Sequence, residues 1–181
     1  MTAVRLRPAT REDVALLVAL LGNPEVEPYL AASRAHGSEE VEAEVDRGER
    51  EPDGFGVLVI ELDGEPAGTV TWESVNRRSR IAAVSGLALS PSVRGQGHGP
   101  AVVEALVALL VRERGFHRLQ MEVYAFNERA LRHAERAGWI REGVRRKAYW
   151  RDGTWVDGVL FGIVEEDLGP GKQGPAPTIT G

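Results

Sequence analysis

The segment Arg94-Gly95-Gln96-Gly97-His98-Gly99 lies between a strand-like apolar run and a helix-like one. Glycines let a backbone come close to a phosphate, and a helix start offers unpaired N–H groups and partial positive charge. Arg94 adds a cation that can reach the same anion. Three phosphate-binding patterns compete for this segment. A P-loop ends in Gly-Lys-Ser/Thr, which is absent here. The dinucleotide pattern G-x-G-x-x-G, started at Gly95, meets Pro100 where its last glycine belongs. The third, R/Q-x-x-G-x-G/A after a strand, binds the pyrophosphate of coenzyme A, and Arg94, Gly97 and Gly99 satisfy it. A plain surface loop is the competing reading. The flanking strand and apolar helix favour the anion site.

The elements that must position this loop can be read from the pattern. Residues 4–7 form a short strand. Thr10 with Asp13 makes a variant capping box for a helix over 11–21, where Val14, Leu17, Val18 and Leu21 recur at helical spacing. Residues 23–30 hold two prolines and form a short helical turn, and Ser38 caps a polar helix over 39–49. Strands follow over 55–62 and 66–73, joined by Asp63-Gly64, the preferred type I′ pair. A strand over 81–89 leads into the glycine loop. After it come a helix over 99–114, a strand over 118–124, and a helix capped by Asn127 and ended by Gly138. A last hairpin turns at Asp152-Gly153. The order is β-α-α-β-β-β-α-β-α-β-β. The strand, loop, helix and strand between 81 and 124 imply a parallel crossover inside a mixed sheet.

Composition narrows the function class. The chain has 181 residues, 43% hydrophobic and 27% charged, a balance suited to one folded domain over 1–168. Residues 169–181, rich in Gly and Pro, read as a flexible tail. A net charge of −5 argues against general nucleic-acid binding. No cysteine is present, which excludes disulfides, thiolate metal sites and a Cys nucleophile, and fits a reducing cytoplasm. The first residues lack the apolar core of a signal peptide, and no apolar run is long enough to span a membrane.

Three segments together resemble the GCN5-related N-acetyltransferase (GNAT) superfamily, closest to its RimJ/RimL-like branch. They are RLRPATRED (5–13), LALSPSVRGQGHG (87–99) and NERALRHAERAGWIREGVRRKAYWRDGTWVDGVLF (127–161). The resemblance implies a mixed α/β fold. Its central sheet has about seven mostly antiparallel strands, about four flanking helices, and a V-shaped splay between strands 4 and 5. It implies acetyl-CoA as the acyl donor, with no metal. Leu87, Ala88 and Leu89 would pair with pantetheine. Arg94, Gly95, Gln96, Gly97, His98 and Gly99 would hold the pyrophosphate, and Asn127 would contact the cofactor. The Leu89 backbone N–H would be the oxyanion donor.

The same resemblance exposes departures. A Tyr common on the helix after Asn127 is Ala134 here. A branch Ser is Ala130, a branch acid aligns with Tyr149, and residues 81–89 carry no carboxylate. The remaining candidates each have a structural alternative. Glu73 is a base acting through water or a solvated strand end. Tyr149 is a proton donor or a packing ring beside Trp150 and Trp155. Glu122 and His133 are further candidates, each more simply a surface residue. His98 faces phosphate or solvent. The expected activity is acetyl transfer to a primary amine: a protein N-terminus, a lysine or a small amine. The alternative is a non-catalytic acyl-CoA-binding module or sensor. Acid-rich residues 25–51 would favour a cationic acceptor, or are simply a solvated helix face. The aromatic last hairpin is expected to pair two copies as a homodimer, with no nucleic acid or membrane partner.

Overall fold

The computed structural model describes residues 2–30 and 37–168, so the expected tail over 169–181 lies outside the described residues. Seven strands are ordered β1-β2-β3-β4-β5-β7-β6 along one sheet. They are β1 (Val4–Pro8), β2 (Phe55–Leu62), β3 (Glu65–Asn76), β4 (Ile81–Leu89), β5 (Arg118–Tyr124), β6 (Ile140–Arg151) and β7 (Thr154–Val164). The helices are α1 (Val14–Leu21), α2 (Ser38–Arg50), α3 (Gly99–Val107) and α4 (Glu128–Arg136). Element order and the mixed sheet are as the sequence pattern implies. The chain divides into two compact units. The first gathers residues up to Glu73 with Val84–Val102, and the second gathers Ser74–Ala83 with the chain from Val103 onward.

In the first unit β1, β2 and β3 form an antiparallel ladder. The β2–β3 turn has positive φ at both Asp63 (51°) and Gly64 (88°), as a type I′ turn requires. α1 and α2 cover the ladder, and Leu17, Leu21, Val41, Val45 and Val59 are buried in the resulting core. Before α1, Asp13 Oδ2 accepts the Thr10 N–H at 2.8 Å and the Thr10 hydroxyl at 3.1 Å. Arg7 clamps the same carboxylate at 2.7 and 2.8 Å and donates to Glu61 at 2.6 Å. The residue before α2 is Gly37, not Ser38. Gly37 has the extended φ,ψ of a cap (−78°, 163°), and its carbonyl accepts the Val41 N–H at 3.0 Å. Ser38 is thereby the first helical residue.

In the second unit the start of β4 pairs in parallel with β5, from Ile81/Arg118 to Ala83/Gln120. β7 lies antiparallel to β5, and β6 antiparallel to β7. Leu119, Val159, Phe161 and Ile163 are buried, and the register sets Leu119 opposite Ile163. The helix expected over 99–114 is α-helical only to Val107, and Ala108–Glu113 form a π-helical segment. There the Arg114 N–H reaches the Leu109 carbonyl, five residues back, at 3.1 Å. α4 is capped as expected: Asn127 Oδ1 accepts the Ala130 N–H at 3.1 Å, and Gly138 follows with φ of 92°.

Candidate functional site

The glycine loop belongs to the first unit. β4 leads to it, and its course is irregular because Gly86, inside the strand, has φ of 60°. Beside the strand end, Gly68 on β3 allows a close approach: a methyl there would overlap the Ala88 carbonyl oxygen and lie 2.8 Å from Leu89 Cδ2. The Ser90 N–H then closes onto the Ala67 carbonyl at 2.8 Å. Ala88 is buried in the core, while Leu87 and Leu89 are half-buried.

Within the loop Gly95 and Gly97 have φ of 77° and 82°, and a methyl on either would meet nothing within 4 Å. Glycine is needed there for conformation, and the backbone it exposes is open. Arg94 is more than a surface cation. Its Nε donates to the Leu89 carbonyl at 2.8 Å and its Nη1 to the Glu25 carbonyl at 3.2 Å, tying the loop to the strand that precedes it and to the segment after α1. Gln96 donates to the Ser92 carbonyl at 3.1 Å, and His98 Nε2 lies 3.3 Å from Gln96 Oε1. Gly99 opens α3, and the His98 carbonyl accepts the Val102 N–H at 3.0 Å.

Glu73 is not at a strand end, since β3 runs on to Asn76. Its Oε1 accepts Arg47 Nη2 at 2.6 Å, and that guanidinium also lies over the Phe55 ring, 4.2 Å from its centroid. This ion pair fixes the position of the Glu73 carboxylate beside α2.

Four residues of the second unit converge through strand register. Glu122 lies opposite Leu160, and Tyr124 opposite Gly158. On the other side of β7, Arg145 faces Gly158 and Tyr149 faces Val156. Between them β6 advances four residues while β7 advances two. Lys147, with φ of 50°, lies in this bulge, and its N–H donates to Asp157 Oδ1 at 2.8 Å. Arg145 Nη1 is therefore 3.3 Å from the Tyr149 hydroxyl and 3.2 Å from Glu122 Oε2. Tyr124 meets Tyr149 edge-on, with centroids 5.2 Å apart. Burial first, and then the Glu122 carboxylate, push the Tyr149 phenol above its ordinary pKa. Sequence reasoning weighed Glu122 and Tyr149 separately. Their meeting depends on a bulge that no residue spacing announces.

Asn127 uses Oδ1 as a helix cap, and Ala134 is buried on α4. His133 is half-buried rather than solvated, and burial, then Arg136, lowers its pKa. The Glu142-Gly143 pair of the resembling segment forms a second β6 bulge, with Glu142 ion-paired to Arg118. Among the described residues no group of three His, Cys, Asp or Glu is placed to hold a metal, and no helix is long and apolar enough to cross a membrane.

Residues 3–140 match the family model of the acetyltransferase (GNAT) domain. An SPbeta prophage-derived uncharacterized N-acetyltransferase, YokL, from Bacillus subtilis is 26% identical over 118 residues, 65% of this chain and 66% of that protein. The chain thus spans just under two thirds of that relative's length. Among solved structures, the spermidine N-acetyltransferase from Vibrio cholerae in complex with CoA and spermine superposes with a TM-score of 0.81 at 18% identity, over 91% of this chain and 96% of that one. Mycobacterium smegmatis RimJ, in complex with CoA-disulfide, gives 0.78 at 24% identity, over 91% and 83%. At these identities the structural likeness concerns the fold.

Proposed function

Because the chain belongs to the GNAT acetyltransferase family, we propose that it is an N-acetyltransferase moving an acetyl group from acetyl-CoA to a primary amine. The observation that carries this reading is the glycine loop at the start of α3, with open backbone at Gly95 and Gly97. The residues present fit a pyrophosphate: the loop offers N–H groups, and Arg94 stiffens it from behind. Leu87 and Leu89 on β4 are the backbone edge for the pantetheine arm, with Ala88 anchoring the strand in the core. Gln96, His98 and Gly99 complete the loop, and Asn127 is a cofactor-side contact. The domain extends through Leu168.

The chemistry needs a neutral amine, a donor for the carbonyl oxygen and a proton for the departing sulfur. The Leu89 N–H is the oxyanion donor. Tyr149, kept protonated by burial, is the proton donor. Glu73, held in place by Arg47, is the acceptor-side carboxylate that acts on the amine through water. Acidic side chains of α2 favour a cationic amine. Peptide N-termini, the acceptor class of the RimJ/RimL-like branch, and small polyamines are both within this reading. Trp150 and Trp155, 57% and 53% exposed, are the surface through which two copies pair. The lack of cysteine suits a cytoplasmic setting.

A thiol-release assay with acetyl-CoA against peptide N-termini, lysine peptides and polyamines tests the reading. Turnover with one class is expected. CoA binding without thiol release on any of them would favour a non-catalytic acyl-CoA sensor instead.

A further inference from the structure

The Tyr149 hydroxyl lies within hydrogen-bonding reach of a guanidinium, Arg145 Nη1 at 3.3 Å. Alone, that positive charge would favour the phenolate and so weaken the hold on the proton a donor must keep. The opposing charge is Glu122, whose Oε2 is 3.2 Å from the same Nη1. Its other oxygen, Oε1, is buried with no hydrogen-bond partner among the described residues, an arrangement that costs stability. Gly158 makes it possible. A methyl there would overlap Glu122 Oε1 and lie 2.9 Å from Tyr149 Cε2, so carboxylate and ring share the space of one missing side chain.

We propose that Glu122, seated over the bare backbone of Gly158 and joined to Tyr149 through Arg145, is a positioning residue that offsets Arg145 and keeps the Tyr149 phenol oriented and protonated. The inference rests on Tyr149 being the proton donor. The charged and titratable groups around the phenol are Glu122 and Tyr124 from β5 and Arg145 from β6, with Arg151 over the Tyr124 ring at 5.5 Å. β7 contributes Val156 and Gly158, which do not titrate, and between them Asp157, whose Oδ1 accepts the Lys147 N–H of the bulge at 2.8 Å.

The test uses the full chain. Tyrosinate absorbance against pH, wild type minus Tyr149→Phe, isolates the Tyr149 titration. The same difference in a Glu122→Gln background should shift its midpoint down by about half a pH unit or more. Glu122→Asp, which keeps the charge, should restore it. Using the acceptor that releases thiol fastest in the screen above, Glu122→Gln should lower kcat and move its alkaline limb to lower pH. The double variant should be no slower than Tyr149→Phe within about twofold, because Glu122 acts through Tyr149. An unmoved midpoint in Glu122→Gln, with kcat lost in Tyr149→Phe, overturns this inference alone. Full kcat in Tyr149→Phe overturns the donor reading on which it stands.

Discussion

Asp13 is a single carboxylate that accepts from Thr10 and from both ends of the Arg7 fork, and it is 8% exposed. Its hydrogen bonds to Arg7 lower its pKa from the usual carboxylate range to about 2. A depressed folded-state value contributes stability that is complete above the unfolded value near 4 and is lost as pH falls toward 2. Asp13→Asn should therefore cost about 2 kcal/mol near neutrality. Urea titrations should show the gap to wild type closing between about pH 4 and pH 2, and a constant gap would refute the assignment. At the candidate site, Tyr149→Phe should lower kcat roughly 10- to 100-fold with CoA affinity unchanged. A kcat within about twofold of wild type would reduce Tyr149 to a packing ring. These two residues differ in how readable they were. Thr10 and Asp13 are three apart in a local motif, so spacing alone located them. Arg145 and Tyr149 are four apart in a strand, and only the bulge at Lys147 brings both against Gly158 and Val156, two apart.

Among the elements, the loop between β4 and α3 depends on backbone more than on side chains. Gly97→Val must hold a branched residue at φ of 82°, a cost of about 1–2 kcal/mol in the left-handed region, where open space offers no relief. The loop should reshape while the fold survives. Calorimetry should show weaker CoA binding, and wild-type affinity would remove the loop from the cofactor site. Gly68→Ala acts one strand away. Its methyl would push the Ala88 carbonyl and so shift Leu89, lowering kcat more than CoA affinity. Equal losses in both would mean that β4 is merely unfolding. Helices and strands were legible because local periodicity sets them, and the type I′ turn because Asp63-Gly64 supplies the residues it needs. The π-helical end of α3 and the left-handed Gly86 were not, because an apolar run reads the same through either. The helix cap at Gly37 rather than Ser38 is a one-residue matter of which backbone stays extended.

At the scale of the whole molecule, the proposed homodimer makes a simple prediction. Light scattering at high concentration should report twice the chain mass, and a particle of 19.7 kDa throughout would count against it. Trp150→Ser with Trp155→Ser should return a dimer to monomer, since both rings are exposed and stack edge-on with centroids 5.2 Å apart. The hairpins and the parallel crossover from β4 to β5 were readable because each joins consecutive elements, but the seating of β7 between β5 and β6 was not. The division into two units was not readable either, since its boundaries fall inside β3, β4 and α3 rather than in linkers. That division has a consequence for synthesis on the ribosome. The first unit needs Val84–Val102 as well as the chain up to Glu73, so a nascent chain halted anywhere before Val102 lacks part of it. Until β4 emerges, β3 lacks its neighbour on that side and its sheet edge stays open, which is when a chaperone has most to protect.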